Sequence, residues 1–127
     1  MSDAAVSHPA SRLMSVATAA YAGYCLVRPR HLARGLEISG PRASHLDTVA
    51  RTYGVRDLAL AATALAGSPR TLEQAMGLRI AMDLGDAAVL SRVAPDSAVR
   101  TKVLGITLGY AVLNGLALWI DRRRTTR

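Results

Sequence analysis

The sequence contains no phenylalanine, and aromatic residues make up only 4% of its 127 positions. Its single cysteine, Cys25, excludes an intramolecular disulfide and any metal site built from several cysteines. The three histidines, His8, His31 and His45, lack metal-ligand spacing, so we expect neither a metal ion nor a cofactor. Glycine-rich phosphate loops and nucleophile elbows are missing too, which excludes the common nucleotide-binding and hydrolase patterns.

Acidic residues are scarce, with nine against sixteen lysines and arginines, and the net charge is +7. Basic proteins often bind nucleic acid, but here the basic residues gather at the ends of apolar segments rather than along one helix face. That placement is typical of anchors to phospholipid head groups, so we expect membrane lipids as partners and no nucleic acid. The basic groups at the segment ends include Arg28, Arg30, Arg34 and Arg42, and later Arg122, Arg123 and Arg124.

Alanine and leucine recur throughout, and 50% of the residues are hydrophobic. Both residues favour helices, so the composition predicts one all-α domain. A bilayer core of about 30 Å is crossed by roughly 20 helical residues, and four segments approach that length. We therefore predict a four-helix transmembrane bundle in the cell membrane, antiparallel and up-down, with a polar interior. Its predicted spans are residues 9–27, 47–66, 71–93 and 102–120, with a connection over 28–46.

The last span is the most apolar. No residue from 103 to 120 is charged, and Trp119 near its end precedes Asp121 and three arginines, as in a membrane anchor. A soluble domain of this size could not bury a helix that is apolar almost all the way round. Because the second and third spans carry charges, a soluble basic bundle is the alternative fold. Gly105 and Gly109 form a GxxxG arrangement that could serve internal packing or a homo-oligomer face.

Capping and turn signals set the expected helix ends. Residues 67–69 read Gly-Ser-Pro, a turn between the second and third spans. Asp47 or Ser44 would cap the second span, and Thr71 with Gln74 has the spacing of a capping box for the third. The short connections on either side of the third helix predict antiparallel neighbours.

The ionisable residues of the middle spans form the most informative pattern. Arg79, Asp83 and Asp86 fall at i, i+4 and i+7, which puts them on one helix face. Arg56 and Asp57 lie in the second span. A charge that faces hydrocarbon is costly, so we expect these five residues to turn inward and form a pocket. The uncharged polar residues expected beside them are Tyr53, Tyr110 and Asn114.

The charge count within this group suggests acid–base chemistry. Two arginines, Arg56 and Arg79, face three aspartates, so one carboxylate is left without a partner. Such a carboxylate tends to take up a proton and can then act as a general acid. Asp83 or Asp86 would be the donor, while the arginines hold the remaining aspartates, including Asp57, ionised. The same residues could equally form structural ion pairs that fix the helix register, so the sequence leaves open whether the protein is an enzyme.

Two short motifs support a resemblance to a known family that covers about residues 13–119. They are Tyr-Gly-Val-Arg-Asp at residues 53–57 and Leu78-Arg79 followed by Asp83 and Asp86. The chain resembles small four-span membrane proteins of actinobacteria and fungi, catalogued as a domain of unknown function and similar in outline to DoxX-like proteins. Some proteins of this kind open terpenoid or polyketide epoxides by cyclisation or hydrolysis. The resemblance thus implies an epoxide-opening cyclase, hydrolase or isomerase for a lipophilic substrate. A non-catalytic membrane accessory subunit and a proton or ion conductor are the alternatives.

Overall fold

The computed structural model describes residues 7–126, which are 88% helical and contain no strand. The all-α prediction is therefore confirmed. The five helices are α1 (Pro9–Val27), α2 (Arg30–Gly35), α3 (Pro41–Ala66), α4 (Pro69–Val93) and α5 (Ser97–Thr125).

Proline opens three of the four long helices. Pro9, Pro41 and Pro69 each occupy the first turn, where a fixed φ suits the helix and the missing N–H would have had no helical partner. The helix that contains the second predicted span accordingly begins at residue 41, after Gly40 in a positive-φ conformation, so the predicted helix cap at Asp47 or Ser44 is wrong.

The cap of α4 also differs from the expectation. Ser68, not Thr71, is the cap, and its hydroxyl oxygen accepts the Thr71 backbone N–H at 3.3 Å. The helix therefore begins one residue after this serine, at Pro69. In α5 the Asp96 carboxylate plays the same part, accepting the Val99 N–H at 2.9 Å.

The four long helices pack as a ring. α1 packs mainly on α3 and α4 mainly on α5, while contacts of α3 with α4 and of α1 with α5 close the ring and α2 lies on α3. Arg12, near the start of α1, donates from Nη1 to the Leu65 carbonyl at the end of α3, at 3.2 Å. α1 therefore runs antiparallel to α3.

Asp121 near the end of α5 caps the beginning of α1. Its carboxylate accepts the Ser11 N–H at 2.7 Å and the Ala10 N–H at 3.2 Å, and the residue is 1% exposed. The residue before α1, His8, makes no side-chain cap of its own. A carboxylate at a helix N-terminus satisfies free N–H groups and complements the helix dipole, so this contact sets the register of α1 against α5.

Small residues bring α1 and α3 close together. A Cβ atom at Gly54 would lie 2.8 Å from Leu26 Cγ and 2.9 Å from the Ala22 carbonyl oxygen, so only glycine fits there. Gly105 and Gly109 are different, because a Cβ atom on either would meet nothing within 4 Å in the described chain. Internal packing does not use the GxxxG face, and its part in a homo-oligomer stays a prediction.

Within residues 7–126, α5 is the one helix that is both long enough and apolar enough to cross a membrane, and 28% of its apolar stretch is buried. Large apolar side chains nevertheless lie exposed on all four long helices. Examples are Val16 on α1, Val55 on α3, Leu84 on α4 and Val112 on α5.

Gly54→Ala should destabilise the bundle by about 1–3 kcal/mol, because the added methyl group meets a backbone carbonyl that cannot move without shifting α1. Thermal unfolding followed by circular dichroism in mild detergent measures the change. Gly77→Ala on α4 is the matched control, since its Cβ atom would meet nothing within 4 Å and alanine favours helix. Equal melting temperatures for the two variants would contradict the close approach of α1 and α3.

Candidate functional site

Asp57 on α3 joins two arginines, the buried Arg79 and the partly exposed Arg56. Arg56 Nε donates to its Oδ1 at 2.9 Å, and Arg79 Nη1 on α4 lies 3.0 Å from its Oδ2. The Arg56 guanidinium also donates through Nη1 and Nη2 to both carboxylate oxygens of Asp86, at 2.9 and 2.7 Å. This fork is the strongest kind of charged hydrogen bond, and it links α3 to α4 twice.

The network continues from α4 to α5. Arg79 Nε lies 3.1 Å from Asp83 Oδ1, and Asn114 Nδ2 on α5 donates to Asp83 Oδ2 at 3.1 Å. An unbroken line of polar contacts thus runs from Asp86 through the two arginines to Asn114. It connects three of the four long helices, and we call these six residues the Asp/Arg network: Arg56, Asp57, Arg79, Asp83, Asp86 and Asn114.

The network is buried at one end and reaches the surface at the other. Asp57 and Asp83 are 2% and 4% exposed and Asn114 is fully buried, whereas the Arg56 and Asp86 side chains are 23% and 16% exposed. The space beside Arg79 measures only about 10 Å³, which is scarcely room for one water molecule. The buried part of the network is therefore packed against protein rather than open to a ligand.

The polar groups of the network are not all satisfied. Arg79 Nε and Nη1 lie within ion-pair distance of carboxylates, yet their N–H bonds point past the oxygen atoms, so these contacts are mainly coulombic. The Asn114 Oδ1 atom is buried without a donor. If the amide turned over, Oδ1 would accept a hydrogen bond from a protonated Asp83, so Asn114 can pair with either protonation state of that aspartate.

Comparison with protein-family models, curated proteins and solved structures finds no match to this chain. The resemblance to DoxX-like proteins therefore stays a prediction.

The structure brings together most of the residues singled out from the sequence. Besides the six of the network, Tyr53 lies under Arg56, with the guanidinium carbon 4.5 Å from the ring centroid, a cation–π contact. Tyr110 packs elsewhere, beside Tyr21 on α1 at 6.4 Å between ring centroids. Helical periodicity identified the shared face of α4 but did not show that Asp86 pairs across the helices with Arg56.

The sequence patterns did not indicate a second polar arrangement, which lies around His31. Tyr21 Oη lies 2.9 Å from His31 Nε2, and His31 Nδ1 lies 2.8 Å from the Arg28 carbonyl oxygen. Because a carbonyl only accepts, Nδ1 is the donor to Arg28, and in the neutral imidazole Nε2 accepts a hydrogen bond from the tyrosine hydroxyl. This pair lines a mainly apolar cavity of about 150 Å³ with Lys102 and Thr107. The sequence feature that could have indicated this contact is the Arg28-Pro29 turn, which brings His31 on α2 back to Tyr21 on α1.

Asp57→Asn should cost about 3–5 kcal/mol of folding free energy, because it leaves two guanidinium groups facing a neutral amide. Asp47→Asn is the matched control: Asp47 binds Arg30 through a similar fork, but that arginine side chain is 50% exposed. A pair in contact with water contributes at most about 1 kcal/mol. Unfolding in mild detergent compares the two variants, and similar losses would show that burial adds nothing to the network.

Proposed function

We propose that this chain is a small integral membrane protein with four spans, in which the Asp/Arg network holds the helices in register. The observation that carries the proposal is its inverted polarity. Ionised and polar side chains lie inside the bundle, while large apolar side chains cover its outside on every long helix. Soluble proteins of this size rarely expose so much apolar surface, whereas a bilayer favours that distribution.

Helix length and the placement of anchors support the same proposal. α1 has 19 residues and α3, α4 and α5 have 26, 25 and 29. At about 1.5 Å per residue each is close to the bilayer core of about 30 Å or exceeds it. Near the end of α5, Trp119 carries the Arg123 guanidinium 4.5 Å above its ring, an arrangement suited to the interface with lipid head groups.

A structural role for the network agrees with its geometry. Helices in a bilayer gain no hydrophobic free energy by associating, so ion pairs and close packing between them carry much of the stability. Here each aspartate is already paired, and the space beside Arg79 is too small for a substrate. These features fit a non-catalytic membrane subunit better than an enzyme with an open substrate pocket.

Acid–base opening of a lipophilic epoxide is the second candidate, and one observation favours it. The network has three carboxylates for two guanidinium groups, and Asn114 Oδ1, once its amide is turned over, can accept a hydrogen bond from a protonated Asp83. In this reaction Asp83 or Asp86 would protonate the epoxide oxygen while its C–O bond breaks. Water or a substrate hydroxyl would attack the carbon, and a neighbouring ionised aspartate would take the proton that this nucleophile loses. The partly exposed Arg56 and Asp86 mark where a substrate would enter.

Cysteine labelling tests the four spans one by one. In a Cys25→Ser background, single cysteines at Val16, Val55, Leu84 and Val112 should be protected from a water-soluble maleimide in intact membranes, because lipid covers them. Arg34→Cys and Arg124→Cys, near the helix ends, should react. Detergent solubilisation followed by denaturation should make all six equally reactive. If any of the four outer apolar positions is labelled in intact membranes, the proposal that its helix spans the bilayer is contradicted.

Asp83→Asn and Asp86→Asn separate the two candidate functions. If the network is structural, both variants should lower the melting temperature, and the wild type should not convert terpenoid or polyketide epoxides in membranes. If the network is catalytic, at least one folded variant should lose turnover by 100-fold or more, the usual contribution of a general acid. Full retained turnover in both variants would end the acid-catalyst hypothesis. Asp47→Asn serves as the control in both measurements.

A further inference from the structure

A basic cleft lies at the end of the bundle where α3 begins and α4 ends. Its volume is about 390 Å³, and Arg42 and His45 line it from the first turns of α3. Arg92 and Pro95 line it from the end of α4 and the turn that follows. None of these residues belongs to the Asp/Arg network, so the cleft is a separate feature of the molecule.

The cleft carries positive charge that the described chain does not neutralise. Within residues 7–126, the side chains of Arg42, His45 and Arg92 make no hydrogen bond or ion pair. Asp96 in the adjoining turn does not line the cleft, and its carboxylate caps α5 by accepting the Val99 N–H at 2.9 Å. Two guanidinium groups that converge on one cavity without a carboxylate are suited to a phosphate group.

The floor of the cleft is apolar and leads onto the outer face of the bundle. Leu46 is 8% exposed and forms part of the floor together with Ala94. Val93 on the rim is 43% exposed, and Val89, one turn earlier on α4, is 56% exposed. A molecule with a phosphate at one end and a hydrocarbon chain at the other would match this sequence of surfaces. Glu37, beside the lining residue Ile38, is not part of the lining.

We infer that Arg42, His45 and Arg92 bind a phosphate ester, with the head group of an anionic phospholipid as the source that the apolar stripe favours. Basic pockets between helices at the membrane interface are known to bind such head groups. The inference goes beyond the proposed function, because the Asp/Arg network takes no part in it. Only the lipid source depends on membrane insertion, since a soluble phosphate ester could reach the cleft in either case.

Binding of a fluorescent short-chain phosphatidylglycerol to the purified full-length chain in detergent micelles tests the cleft. The matching phosphatidylcholine probe, which has no net charge, is the lipid control. Arg42→Gln with Arg92→Gln should weaken phosphatidylglycerol binding about tenfold or more, because two charged hydrogen-bond donors are lost. Arg28→Gln with Arg34→Gln removes the same charge at the same end of the bundle and should change affinity by less than about threefold.

Competition identifies the source of the phosphate. Displacement by unlabelled phosphatidylglycerol but not by glycerol 3-phosphate would support a lipid head group, and displacement by both would support a soluble ester. Equal losses in the two double variants would overturn the inference, since Arg28 and Arg34, which line a different basic cavity, would then matter as much as the cleft. The inference would also be overturned if the wild-type chain bound phosphatidylglycerol no more tightly than phosphatidylcholine and did not bind glycerol 3-phosphate.

The result can be separated from the fate of the proposed function. Arg42 and Arg92 are exposed and have no partner among residues 7–126, so both substitutions should leave the circular dichroism spectrum and the gel-filtration profile unchanged. Arg42→Gln or Arg92→Gln alone can be compared with the wild type for phosphatidylglycerol binding in the same way, with one charge removed instead of two. If cysteine labelling shows that the chain does not span the membrane, specific glycerol 3-phosphate binding that Arg42→Gln with Arg92→Gln abolishes would still support the cleft.

Discussion

The contact of one carboxylate with two guanidinium groups, Asp57 between Arg56 and Arg79, governs the rest of the bundle. Removing a charge from water costs several kcal/mol, and only close partners repay that cost. α3 and α4 must therefore lie where both oxygens of Asp57 meet an arginine. The fork between Arg56 and Asp86 then aligns the two helices along their length.

The remaining long helices are attached by different kinds of contact. α5 joins through Asn114, which donates to Asp83, and α1 joins without any charge of its own in the network. The position of α1 depends on its steric fit against Gly54 and on Asp121 of α5, whose carboxylate caps the first turn of α1. Both contacts are short in range, so α1 cannot slide along α3 without losing the close approach at Gly54 and the cap from α5.

The two polar regions of the molecule differ in what they leave free. In the Asp/Arg network each charge lies beside one of opposite sign, and the space beside the buried Arg79 is about 10 Å³. In the basic cleft the charges have no partners among the described residues, and the cavity is about 390 Å³. A closed set of ion pairs holds helices together, whereas an open set of cations in a cavity is available to an anion. This contrast is why we propose a structural role for the first and a ligand for the second.

Local information in the sequence determined the helical class and the face on which Arg79, Asp83 and Asp86 lie, because both follow from a period of 3.6 residues along one chain. It also indicated that charges of α3 and α4 would meet. Only the tertiary structure decided which carboxylate pairs with which arginine, that Tyr110 packs beside Tyr21 instead, and that His31 meets Tyr21. Those pairings depend on the rotation and offset of one helix against another, which close contacts at positions such as Gly54 set and no single helix contains.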